Sequence, residues 1–222
     1  MIVTIDGPAG SGKSTAARGL AQRLEFHFLD TGAMYRAVAW ACLERNVDYL
    51  DALAAAKVAC EIIISFDGEQ VFVDDAEVTE AIRGSKVTQS ASVYAMIPEV
   101  RRELVQQQRR VAHGLNIVSE GRDQGTIAFP DAECKFYLTA DPAERANRRR
   151  LEQLDKGVDI PIEELLEQIK DRDERDENRA ISPLVAAEDA LQIDTSKLDA
   201  AGVLDLLEQT VREHMSQLQG VD

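Results

Sequence analysis

Apolar positions along this chain follow two rhythms. Short runs rich in aliphatic and aromatic residues, IVTID (2–6), FHFLD (26–30), LNIVSE (115–120), CKFYLTA (134–140) and ALQID (190–194), are bounded by polar or glycine-containing turns. Runs of that length and bounding predict buried strands. Between them apolar residues recur every three or four positions. That spacing predicts helices over 13–24, over AMYRAVAWACLERN (33–46), over 50–59, after Pro98, and over 142–156, 161–179 and 199–218. Strands alternating with helices predict an α/β fold, a parallel sheet flanked by helices. One stretch breaks the rhythm. EIIISF, QVFVD and EVT, between 61 and 79, are β-branched or aromatic and are separated by DGE and DDA turns. Such hairpin spacing predicts a small antiparallel β insert.

A second break is DRDERDENR (171–179), nine residues with no apolar side chain, directly after Ile162, Leu165, Leu166 and Ile169 at helical spacing. On a continuing helix, Arg172, Arg175, Asp176 and Arg179 fall within an arc of roughly 100°. A self-paired charged helix accounts for Asp171 with Arg175, but Arg175 and Arg179 repel. Three arginines on one stripe suit phosphate better. Arg145, Arg148 and Arg149 of ERANRRRLEQ precede this stretch across a DKGVDI turn, so arginines on two helical arms predict a closing lid. Until a ligand arrives, Arg172 and Arg179 are expected to be solvated and weakly paired, with 171–179 never meeting the core.

The totals suit an ordinary globular protein: 222 residues, 45% hydrophobic and 29% charged. One domain is expected, with a core over 1–60, 85–140 and 183–222, the β insert over 61–84 and the lid over 145–182. A net charge of −15 repels phosphate at long range, so neither a nucleic-acid nor an anionic-membrane surface is expected. Any phosphate must be met by local cations. The 18 arginines against 7 lysines favour forked, bidentate donors. Cys42, Cys60 and Cys134 have no metal-ligand spacing, which predicts reduced thiols and a cytoplasmic protein. No basic-then-apolar leader opens the chain and no apolar run nears roughly 18 residues, so neither secretion nor membrane spanning is expected.

The chemistry begins at GPAGSGKST. Gly7, Pro8, Ala9, Gly10, Ser11, Gly12, Lys13, Ser14 and Thr15 match G-x-x-x-x-G-K-[ST] between a predicted strand and helix. Backbone N–H groups of such a loop face inward and the helix N-terminus adds positive charge. Lys13 would reach the β- and γ-phosphates of a nucleoside triphosphate and Ser14 would ligate Mg²⁺. No N-K-x-D guanine reader occurs, which weighs against a GTPase switch and leaves a kinase needing a second anion site. LDTGAMYR (29–36) offers Thr31, Tyr35 and Arg36 for it, although the same letters also read as an N-cap and an amphipathic helix. SEGRDQGT (119–126) places Glu120, Arg122 and Asp123 at the C-terminal end of a strand, where open parallel sheets hold ligands. Ser92 and Arg101 in SASVYAMIPEVR read, taken alone, as capping and surface residues.

Taken together, GPAGSGKST, DTGAMYR, VSEGRDQGT, FPDA, KFYLTAD, ERANRR and RDERDENRAISPL occur in the order and spacing of bacterial-type cytidylate kinases. These are P-loop nucleoside monophosphate kinases, and the chain resembles them over nearly its whole length, β insert included. The resemblance implies transfer of the γ-phosphoryl group of ATP to CMP or dCMP with Mg²⁺; a monomer is expected. It implies that Lys13, Arg122 and Arg179 serve catalysis, and that Arg145, Arg148 and Arg149 join the 7–15 loop in holding ATP. Ser92, Arg101 and Asp123 would read cytosine, since a carboxylate accepts from its exocyclic amine and repels the oxygen of uracil. Arg36, Arg122 and Arg179 would hold the acceptor phosphate, Arg172 and Asp176 its ribose, with Thr31 and Tyr35 lining the pocket. Ser14 would be a metal ligand and Glu120 would act on the metal through its waters. Gln124 stands where the family usually has an apolar residue, and Glu120 where Asp is frequent. Two alternatives stay open, a P-loop kinase for UMP or a small hydroxy acid and a nucleotide-binding regulator without turnover.

Overall fold

A computed structural model describes residues 1–155 and 157–219; Lys156, in the predicted DKGVDI turn, and the last three residues lie outside the described residues. The chain forms two compact units: Met1–Leu29 with the chain from Ala112 onward, and Asp30–Val111.

The first unit is built on a five-stranded sheet. Its strands are β1 (Ile2–Asp6), β2 (His27–Asp30), β6 (Ile117–Gly121), β7 (Cys134–Thr139) and β8 (Leu191–Asp194), in the order β2-β6-β1-β7-β8. β1 pairs in parallel with β6 and with β7, and β7 pairs in parallel with β8. Helices α1 (Lys13–Leu24) and α8 (Ala200–Gln219) cover one face. Side chains alternate along β1, so Val3 and Ile5 join Leu20, Phe136, Leu138 and Leu207 in the apolar core, while Thr4 and Asp6 are buried on the other face. From β1 the chain passes to β2 on one side of the sheet; from β6 it passes to β7 on the other. The C-terminal ends of β1 and β6 therefore flank a topological switch point, where open sheets bind ligands. Helices α6 (Pro142–Leu154) and α7 (Ile162–Glu177) form a hairpin with its own small apolar cluster of Ala146, Leu165 and Ile169.

The second unit holds α2 (Thr31–Glu44), α3 (Ala52–Glu61), the antiparallel strands β3 (Ile64–Asp67), β4 (Gln70–Val73) and β5 (Ala76–Glu77), then α4 (Ser85–Tyr94) and α5 (Pro98–Ala112). The predicted DGE and DDA turns close both hairpins, with Gly68 and Asp74 at positive φ.

The parallel sheet with an antiparallel insert is as expected, and three local differences matter. Helix α4 had no counterpart in the apolar spacing. Helix α2 starts two residues earlier than expected, because the Asp30 carboxylate accepts from Ala33 N at 2.7 Å and caps it, which places Thr31 and Gly32 in the first turn. Helix α7 stops at Glu177 with Asn178 as its C-cap, so Arg179 is not on the helical stripe.

Candidate active site

Between β1 and α1 the backbone curls through Gly7, Gly10 and Gly12, all at positive φ. Gly7 is obligatory on contact grounds as well: a Cβ there would lie 2.1 Å from the Leu138 carbonyl oxygen. Three side chains brace the curl from outside. Thr195 Oγ1 donates toward the Ser11 carbonyl at 3.1 Å, Arg145 NH1 donates to Ala9 O at 3.0 Å, and Arg148 donates to Thr195 Oγ1 and Thr195 O. Lys13, only 5% exposed, donates to the Pro8 carbonyl at 3.1 Å. Burial is the main force on its ammonium and the Arg122 guanidinium adds to it, so its pKa is pushed down to about 7 despite Glu120. A loop that depresses its own lysine in this way will gain strongly from an incoming phosphate. Ser14, on the first turn of α1, donates to Glu120 Oε1 at 2.9 Å, which joins the two residues expected near a metal.

At the end of β6 the chain enters a wide turn over Gln124–Ala128, in which Ala128 N bonds back to Asp123 O and Phe129 N to Gln124 O. Wide turns of this i→i−5 kind recur at functional sites. Arg122 leaves β6 toward α7, where its Nε donates to Asp176 Oδ2 at 2.7 Å. Arg179 donates to the other oxygen of the same carboxylate. Asp176 is 2% exposed. Burial alone would raise its pKa, but Arg122, Arg179 and Arg172 together hold it below the usual carboxylate range. Burial likewise opposes the charge of Arg122, and Asp176 more than offsets it. Two arginines on one carboxylate form a preassembled anion site whose present occupant is a side chain.

This node corrects two expectations. The Arg179 side chain is 7% exposed and ion-paired instead of solvated, and 171–179 does contribute to the interior, through Asp176. The physical reason is mutual: a carboxylate can be buried on α7 only because Arg122 and Arg179 neutralise it. Of the remaining arginines, Arg145 is 4% exposed and bonds Ala140 O, Ala9 O and Asp173 Oδ2, the last at 2.6 Å. It braces the loop backbone and ties α6 to α7. Arg149 pairs on the surface with Glu152.

In the second unit, Arg36 sits one turn along α2 and pairs with the capping Asp30 at 3.5 Å. Arg101 lies buried on α5, donates to Ala95 O at 3.1 Å, and stacks its guanidinium over the Tyr35 ring, 5.2 Å from the centroid. Arg101 is therefore not the surface residue that its local sequence suggested. Ser92, in the last turn of α4, donates to Gln89 O at 2.8 Å. Thr31 is buried.

Several contributors had no sequence signal. Asp6 accepts from Gln124 N at 2.9 Å and Gly125 N at 2.8 Å, and burial pushes its pKa up to about 7. Asp173 and Thr195 anchor Arg145 and Arg148. Gln124 is fully buried and accepts from Ser119 Oγ at 2.8 Å, so a hydrogen-bonded polar pair fills this part of the interior.

Comparison with known proteins agrees with this geometry. A sequence model for the family described as cytidylate kinase matches residues 3–213. The chain is 46% identical over 212 residues to the cytidylate kinase of Caldanaerobacter subterraneus subsp. tengcongensis, covering 96% of this chain and 95% of that one. It is 42% identical over 215 residues to the cytidylate kinase of Bacillus subtilis, covering 95% and 96%. Among solved structures, an uncharacterized protein from Eubacterium ventriosum shares the fold, with a TM-score of 0.52 at 14% identity over 96% of this chain and 98% of that one. With a family model matching residues 3–213 and relatives at 42–46% identity over nearly the full length, the chain belongs to the cytidylate kinase family.

Proposed function

We infer that the protein transfers the γ-phosphoryl group of ATP to CMP or dCMP, giving ADP and the diphosphate. The observation that carries this is the pairing, within one unit, of the Lys13 phosphate loop with Arg122 and Arg179 clasped on Asp176, in a chain whose relatives at 46% identity are named cytidylate kinases. Phosphoryl transfer asks little covalent chemistry of the protein, so positioning and charge neutralisation dominate. Residues 7–15 hold the ATP phosphates, and Lys13 follows charge as it moves toward the β–γ bridge. The acceptor phosphate takes over the donors of Arg122 and Arg179, which Asp176 keeps aimed and partly neutralised, with Arg36 as a third cation. Asp123, Ser92 and Arg101 select cytosine, Thr31 and Tyr35 line the acceptor pocket, and Arg172 and Asp176 attend the ribose. Arg148 and Arg149 contribute to ATP binding, and Arg145 acts through the loop carbonyl that it holds.

Among the described residues, no cluster of three or more His, Cys, Asp or Glu side chains could hold a metal by itself. Ser14 and Glu120 instead supply one hydroxyl and one carboxylate, the sparse set that Mg²⁺ uses when phosphates and waters complete its shell. When bound, Mg²⁺ would neutralise charge on the β- and γ-oxygens; Ser14 would hold it and Glu120 would hold its waters.

The α6–α7 hairpin, which overlaps the expected 145–182, is the proposed lid. Its separate apolar cluster lets it move as a body, and closing it excludes water from the acceptor's place. Action as a monomer is proposed. Among the described residues no helix is long and apolar enough to cross a membrane, and Cys42, Cys60 and Cys134 are free thiols; both fit the proposed cytoplasmic setting. A coupled ADP-release assay over CMP, dCMP, UMP, AMP and shikimate tests the function. Turnover with the cytidine nucleotides well above the others is expected, and preference for any other acceptor, or none, overturns it.

A further inference from the structure

Asp6 ends β1 one residue before the phosphate loop, and strand alternation turns its carboxylate away from the apolar core formed by Val3 and Ile5. Its two oxygens accept from two successive backbone donors, Gln124 N and Gly125 N, at 2.9 and 2.8 Å. These donors open the wide turn whose first carbonyl belongs to Asp123. The turn is held from other directions as well. The Gln124 side chain is fastened to Ser119, and Gly125 is packed so closely that a Cβ would meet Thr4 Oγ1 at 3.0 Å, Lys135 Cδ at 3.3 Å and Asp6 Oδ2 at 3.5 Å. A carboxylate that has lost nearly all its hydration to bond two amides of one turn is costly as a mere surface filler, and its pKa near 7 reflects that cost.

We propose that Asp6 is a positioning residue for acceptor recognition, fastening the turn that carries Arg122 and Asp123 to the same stretch of backbone that begins the phosphate loop. Asp6 and Gly7 are consecutive, so one short segment fixes both the donor loop and the acceptor turn. Phosphoryl transfer needs this common reference, because the reacting oxygens must lie in line. The hydrogen bonds of the Asp6 carboxylate run to the turn, whereas Thr195, Arg145 and Lys13 hold the loop. Loss of Asp6 should therefore displace the acceptor side while the ATP side stays.

The inference rests on the CMP kinase function above, and its test separates the two. Asp6→Asn keeps one acceptor oxygen but turns an NH₂ group onto the other backbone N–H, which repels instead of accepting. Expected is a fall of about 10- to 100-fold in kcat/KM for CMP, from misplacement of the acceptor turn. The CMP-to-UMP preference should narrow by about tenfold as Asp123 loses its register, while KM for ATP changes less than about threefold. A purely structural Asp6 would lower the melting temperature and total activity and leave the CMP-to-UMP ratio intact; that result overturns the proposal. Should Asp6→Asn fail to fold, Gly125→Ala presses the same turn against Thr4, Lys135 and Asp6 and must show the same split. Wild-type protein that fails to phosphorylate CMP would refute the function; active wild type with an unchanged ratio in the variants refutes the role of Asp6 alone.

Discussion

Replacing Arg179 by alanine probes the carboxylate that holds two arginines. In the structure the Arg179 guanidinium is almost fully buried against Asp176, whose other oxygen takes Arg122 Nε at 2.7 Å. Removing one partner of a buried ion pair costs about 3–5 kcal/mol when the remaining charge is left alone. Here Arg122 still neutralises Asp176, so the loss falls to that of one charge-assisted hydrogen bond, about 1.5–3 kcal/mol. For a chain of this size, that lowers the melting temperature by about 3–12 °C. If Arg179 also meets the acceptor phosphate, kcat falls by about 10²–10³-fold, as when one preorganised donor to developing charge is lost. Arg175, exposed on α7, is the control, and Arg175→Ala should shift the melting temperature by no more than about 1 °C. Calorimetry and steady-state kinetics on both variants, completed by a cycle with Asp176→Asn, read the two effects separately. The pair persists over the working range: Asp176 is held below its ordinary 3.8, so its stabilisation is present above that pH and is lost only as pH falls through the lower value. An unchanged melting temperature for Arg179→Ala would show that the buried pair contributes nothing, and near-normal kcat would remove Arg179 from the reaction.

Lys13→Ala should retain the fold, since this side chain donates to the Pro8 carbonyl within its own loop, yet lose about 3–4 kcal/mol of barrier lowering; wild-type kcat with CMP refutes its role. With a pKa near 7, Lys13 in the free protein is mostly neutral at pH 8, and bound phosphates return it to the ammonium form. Binding of a non-hydrolysable ATP analogue at pH 8 should therefore take up protons, read by titration calorimetry in buffers of different ionisation enthalpy; no buffer dependence contradicts the depressed pKa. Asp123→Asn should narrow discrimination between CMP and UMP by about 1–3 kcal/mol, because an amide can present a donor to the uracil oxygen. Equal ratios of kcat/KM before and after the change would show that Asp123 does not read the base.

What the sequence determined by itself was local. The glycines of 7–12 announce a curled backbone because only a residue without Cβ can pass as close to Leu138 as Gly7 does. Alternating strands and helices announce a parallel sheet, and DGE and DDA between β-branched runs announce hairpins, because periodicity and turn chemistry act over a few residues. The arginines of DRDERDENR were legible as a stripe suited to an anion. Only the tertiary structure brought Arg122 to it: Asp176 lies 54 residues from Arg122, a separation that no helical stripe reveals, and the helix ends before Arg179. Asp6 meets its amide donors across 118 residues, and Arg145 meets Asp173 across 28. Contacts of that separation leave no local pattern, because burial creates their worth. A lone carboxylate or guanidinium reads as solvated in any sequence window, and it becomes a fixed part of the site only when the sheet and the hairpin close over it and remove the water.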